Sequence, residues 1–137
     1  MFRDVPALLL KLRGVGLRLR TACRNTSAGV SLNLCAAQQR AGLAREAQEE
    51  AENAVRLLST TAWVSGSNGS EAEDARAASE LLVIAYYNCS VASETCGEYS
   101  KATRYVREAL RVGKVCPINI HHTRFATVFH HTRIYTP

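Results

Sequence analysis

Apolar positions recur along most of this chain at spacings of three and four, the rhythm of amphipathic helices. From Val5 to Leu19 leucines and valines are dense, and Pro6 suits a first helical turn. Gly14 and Gly16 each cost about 1 kcal/mol in a helix interior, so this helix needs packing to persist. The polar run from Thr21 to Ala28 predicts a connector. Val30, Leu32, Leu34, Cys35 and Ala37 outline the next helix, over about 28–41. Gly42 then stands where a helix ends in the left-handed conformation. A helix over about 43–58 follows, with Ala44, Ala47, Ala51, Ala54, Val55 and Leu58 on its apolar side. Its acids Glu46, Glu49 and Glu50 come early and Arg56 late, an order that suits the helix dipole.

The stretch from Ser59 to Ser70, STTAWVSGSNGS, is the clearest break. Gly66, Asn68 and Gly69 are turn residues, and Trp63 is expected to anchor the loop on the helices. Ser70 and Glu73 have capping-box spacing. A long helix is expected from there to Cys96, polar as far as Ser79 and apolar from Leu81 to Ala92. Gly97 closes it. The last helix, about 99–112, sets Tyr99, Ala102, Val106, Ala109 and Leu110 on one side, and Arg104, Arg107, Glu108 and Arg111 on the other. Gly113 is the expected stop. Beyond it the helical period is lost, and His-His-Thr-Arg occurs twice, at 121–124 and 130–133. This part predicts a loosely held tail.

Two windows repeat each other. Leu32–Leu58 and Tyr87–Val112 share an Asn, at Asn33 and Asn88. They then share Gly42 with Gly97, Ala47 with Ala102 and Ala54 with Ala109, at offsets of nine, fourteen and twenty-one from the Asn. The offsets have a physical reading. The glycine permits a tight turn between antiparallel helices. The small residue five positions later allows the second helix to approach the first. The alanine seven further on lies on the same face and admits the next helix.

This pattern resembles the tetratricopeptide repeat family, whose motif has a turn glycine followed by two small residues seven apart. Gly42, Ala47 and Ala54 fill those places in the first window, and Gly97, Ala102 and Ala109 in the second. Tyr99 matches the usual aromatic after the turn, Leu110 the usual large apolar residue, and Tyr86 stands where the motif favours Trp or a large apolar residue. The chain departs from the motif at Cys35 and Ser90, where the first helix usually has Gly, and at Ser59 and Lys114, where Pro usually ends the second. Its windows are 55 residues apart, against about 34 in the standard repeat. The resemblance implies an all-α fold of antiparallel hairpins stacked as a short α-solenoid. It implies a concave face lined by Leu32, Ala36, Gln39 and Arg40, then Ile84, Tyr87, Val91, Glu94 and Thr95, which binds a peptide or helix of another protein. The clamp that some members use on acidic tails wants Lys and Asn where Leu32 and Ala36 stand, so no such clamp is expected. Two repeats are fewer than the usual three for a stable solenoid. The N-terminal segment is expected to add a layer, or else the chain self-associates or belongs to a longer array.

Composition sharpens this outline. The 137 residues suffice for one domain, and their formal charge is +5. Residues 1–27 form a basic segment, 28–113 the helical repeat domain and 114–137 the irregular tail. The basic residues are not interleaved with aromatics, so no nucleic-acid partner is expected. Five cysteines at irregular spacing make a poor disulfide framework and point to a reducing, cytoplasmic setting. Sequons at Asn25, Asn68 and Asn88 are read as chance. No apolar run approaches the ~20 residues of a membrane span. The first twenty residues are arginine-rich and acid-poor, which supports a runner-up reading as a small mitochondrial protein with a cleavable leader.

Candidate chemistry is sparse. Cys116 with His121, His122, His130 and His131 fits no standard zinc spacing, so no metal is expected. Cys89 and Cys96 lie seven apart on one helix, too far for a disulfide. No phosphate-binding glycine loop, nucleophile–base set or cofactor motif is present. The sequence therefore points to a protein-binding scaffold or adaptor and away from an enzyme.

Overall fold

A computed structural model describes residues 4–60 and 70–115. Among the described residues the chain is all-helical: α1 (Val5–Arg40), α2 (Ala44–Ser59), α3 (Ser70–Thr95) and α4 (Tyr99–Val115). The two short turns fold α1 against α2 and α3 against α4 as antiparallel hairpins. α2 lies between α1 and α3, α4 packs on α3, and α1 also reaches α3.

The turns repeat each other bond for bond. Leu43 N–H donates to Gln38 O at 2.8 Å and Gly42 N–H to Gln39 O at 3.1 Å. At the second turn Glu98 N–H donates to Ser93 O at 2.8 Å and Gly97 N–H to Glu94 O at 2.9 Å. This pair of bonds satisfies the last carbonyls of a helix and requires a left-handed residue. Gly42 and Gly97 supply it, with φ of +79° and +78°. The ends of α1 and α3 and the starts of α2 and α4 are likewise each 55 residues apart.

The core follows the small residues. Ala47, Ala51, Cys35, Cys89 and Ala92 form one buried cluster. Ala28, Leu32, Ala54, Leu58, Ala78, Leu82, Ile84, Ala85 and Val112 form another. Small side chains at the crossings bring the helix backbones close. Leu58 and Leu82 are the largest fully buried side chains and fill the space between crossings. Tyr86 of α3 and Tyr105 of α4 tie the second hairpin together, with ring centroids 6.2 Å apart.

Two expectations are corrected, and one repeated pair proves unequal. No connector interrupts residues 21–28, because α1 runs through them as helix. The polar residues there find partners compatible with a helix. Thr26 Oγ1 donates to Ala22 O at 2.9 Å, Arg24 to Thr60 Oγ1 at 3.2 Å and Asn25 Nδ2 to Asp74 O at 3.5 Å. Gly113 does not stop α4, which continues to Val115. Its φ is not positive, so nothing there turns the chain. Asn33 and Asn88, equivalent in the repeat, differ in place: Asn33 is exposed and Asn88 is buried. The Trp63 anchor, the sequon at Asn68, Cys116 and the histidine tail lie outside the described residues, as does the side chain of Ser70, from which a cap is expected.

Candidate functional site

The expected concave face draws on the C-terminal halves of α1 and α3, whose ends are set by the two glycine turns. Ala36 and Gln39 on α1 and Tyr87 and Val91 on α3 are half-buried, while Arg40, Glu94 and Thr95 are exposed. Gln39 Nε2 donates to the Asn88 carbonyl at 3.5 Å, which brings the two helices together along this side. Thr95 turns its hydroxyl to Val91 O at 2.9 Å. Leu32 and Ile84 are placed differently from the rest. They are 2% and 7% exposed and belong to the core cluster around Leu58 and Leu82. They offer a partner almost no surface. The remaining seven residues combine half-buried Ala36, Tyr87 and Val91 with two exposed charges, Arg40 and Glu94, in the last turns of α1 and α3.

The repeat-packing residues divide by hairpin. Ala47 and Ala54 are fully buried. Ala102 and Ala109 are half-buried and Tyr99 is exposed. The first hairpin is covered by α3, and no described helix follows α4.

Behind the turns lies a polar cluster that spacing rules did not reveal. Gln48 is buried on α2, and its Nε2 faces Ser93 Oγ at 3.1 Å, Glu98 Oε2 at 3.0 Å and Glu52 Oε1 at 3.4 Å. Tyr105 donates to Glu52 Oε1 at 2.8 Å, and Lys101 Nζ lies 2.7 Å from the same oxygen. Lys101 and Arg45 also approach Glu98, at 3.5 and 3.9 Å. Partial burial opposes ionisation of Glu52. Lys101 and the hydrogen bonds from Tyr105 and Gln48 outweigh it and hold the carboxyl below its ordinary range. The hydrogen bond to Glu52 raises Lys101 in turn. Burial and the bond to Glu52 raise the Tyr105 phenol. Glu49, Glu52, Val55, Arg56 and Tyr105 line an open cleft of about 470 Å³ beside this cluster.

This chemistry is suited to holding helices together. Glu52 is fixed as an anion by Lys101, so it has no proton to donate at neutral pH. Burial, with Glu50 nearby, pushes the Cys35 thiol up to about 11. Burial also raises Cys89, with Glu52 adding to it. Neither thiol is a nucleophile at neutral pH. Among the described residues no group of three or more His, Cys, Asp or Glu side chains is placed to hold a metal ion. Nor is any helix among them long and apolar enough to cross a membrane. No protein-family model, curated protein or solved structure matches the chain.

Proposed function

We propose that the chain is a protein–protein interaction module, a scaffold or adaptor whose stacked hairpins are similar to tetratricopeptide repeats. The observation that carries this reading is the 55-residue repetition of one turn, with the same two hydrogen bonds and the same left-handed glycine. The neighbour pattern supports it, since α2 sits between α1 and α3 while α1 also reaches α3. A stack of this kind leaves the first helix of each hairpin to line a groove. On this reading a peptide or helix of another protein lies along Ala36, Gln39 and Arg40 of α1 and Tyr87, Val91, Glu94 and Thr95 of α3. Tyr87 and Val91 supply the apolar contact, while Arg40 and Glu94 offer charged contacts to the bound segment. The module is not an enzyme on this reading and works without a cofactor. Its setting is the cytoplasm. Quantitative capture of partners by the intact chain and by a Tyr87→Ala, Val91→Ala variant tests it. Proteins lost from the variant are expected, and identical partner sets defeat the groove.

A specific observation favours a second reading, a mitochondrial protein with a basic leader. Lys11, Arg13, Arg18, Arg20 and Arg24 lie on a part of α1 in which no described side chain before Ala28 is buried. Removal of residues 1–24 would leave both core clusters intact. A fluorescent fusion lacking residues 1–24 loses its mitochondrial signal on this reading. Unchanged localisation removes it.

A further inference from the structure

The 55-residue shift that relates the two hairpins also pairs buried positions with exposed ones. On α3, Ala78, Leu82, Ala85, Cys89 and Ala92 form one stripe at spacings of four and three, and all five are buried. They share their clusters with Ala47, Ala51, Ala54 and Leu58 of α2. Shifted back by 55, the α3 stripe falls on Cys23, Ser27, Val30, Leu34 and Ala37 of α1. Every one of these is exposed, Val30 at 62% and Leu34 at 44%. Shifted forward, the α2 positions fall on Ala102, Val106, Ala109 and Gly113 of α4. None of these is buried, and Val106 is 42% exposed. Leu110, the counterpart of Val55, is 59% exposed. The fold therefore contains one completed α2-on-α3 interface. It also presents the two halves of a second one on its first and last helices, neither covered by a helix among the described residues.

We propose that α4 of one copy receives α1 of a second copy, in the register by which α2 receives α3 within the chain. The occupant follows from the interface already present. The α4 face repeats the small-residue spacing of the α2 face, with Ala102 and Ala109 in the places of Ala47 and Ala54. α1 stands 55 residues before the helix that α2 accepts; it keeps Ala37 in the place of Ala92 and carries the larger Val30 and Leu34 in the places of Ala85 and Cys89. The contact buries Val30 and Leu34 against Val106 and Leu110, a gain proportional to the apolar area removed from water. The two faces differ from each other, so the association is head-to-tail and does not close at two. Adding a copy lengthens the stack toward the number of hairpins a solenoid needs. The inference rests on the internal repeat and not on what the groove binds.

Sedimentation velocity on the full chain tests it. The wild type is expected to gain mass with concentration, past twice that of one chain. Val30→Glu with Leu34→Glu breaks the α1 face, and Val106→Glu with Leu110→Glu breaks the α4 face. Each variant alone is expected to stay monomeric. An equal mixture of the two retains one good face of each kind, so it is expected to form a two-chain species and nothing larger. All four positions are exposed, so helix content by circular dichroism should be unchanged. Serine replaces glutamate at the same positions if it is not. A Tyr87→Ala, Val91→Ala variant assembles like the wild type, which separates this result from the groove. A wild type that stays monomeric at all concentrations overturns the proposal, as it would if residues 116–137 filled the α4 face of their own chain. Either face variant assembling like the wild type also overturns it, and so does a mixture that remains monomeric.

Discussion

Gly42 and Gly97 stand 55 residues apart in the same backbone state, φ +79° and +78°, each donating its N–H to a carbonyl three residues back. An added Cβ would meet no atom within 4 Å at either glycine. The requirement for glycine is therefore conformational and not steric crowding. Gly42→Ala and Gly97→Ala are each expected to destabilise the fold by about 1–2 kcal/mol. Urea denaturation measures this, and two neutral substitutions would remove the turn from the account.

The alanines that match in sequence are predicted to differ in tolerance. Ala47→Leu and Ala54→Leu force a large side chain into fully buried crossings, at about 1–3 kcal/mol each. Ala102→Leu and Ala109→Leu fall on the half-open side of α4 and are expected to cost well under half as much. Thermal melts of the four variants at low protein concentration test this. Equal losses in both hairpins would mean that α4 is covered as fully as α2.

Much of this layout was legible in the sequence. Gly42 and Gly97 mark turns by a rule that depends on one residue, and the alanine spacings mark faces by a period. The remainder depended on contacts between distant positions. The Gln48–Ser93–Glu98 cluster joins residues 45 and 50 apart, and no local rule connects a glutamine in one helix with the turn of the next hairpin. The continuity of α1 was hidden because Thr26 and Asn25 look like connector residues until their partners, Ala22 and Asp74, are known. Leu32 and Ile84 fell on groove positions of the repeat pattern. The packing of α1, α2 and α3 draws both into the core instead.

The Glu52 cluster predicts a pH response. Glu52 ionises more readily in the folded chain than its ordinary value of 4.5. Its contribution to stability is thus complete above that value and is lost as pH falls through the lower folded value. Lys101→Met is expected to flatten this acid-side loss, and Tyr105→Phe to cost about 1 kcal/mol at neutral pH. Denaturation midpoints of the three proteins between neutral pH and the acid limb test this. An acid-side profile unchanged by Lys101→Met would show that Glu52 draws nothing from that contact.

Thiol chemistry separates the cysteines by burial. Cys23 is exposed, while Cys35 and Cys89 are fully buried and their thiols are held protonated by burial. At protein concentrations low enough to keep the chain monomeric, Cys23 is expected to react promptly with an aromatic disulfide reagent at neutral pH. Cys35 and Cys89 should react only as fast as the fold opens. Site-resolved labelling by mass spectrometry reads this directly, and prompt labelling of Cys89 would contradict the packing of α2 on α3.

The proposed function requires a protein-binding groove along α1 and α3. Quantitative capture with the intact chain, the Tyr87→Ala, Val91→Ala variant and the Val106→Glu, Leu110→Glu variant tests it most directly. The account predicts a set of partners lost from the Tyr87, Val91 variant and retained by the α4 variant. Equal recovery of every partner by all three proteins would contradict it.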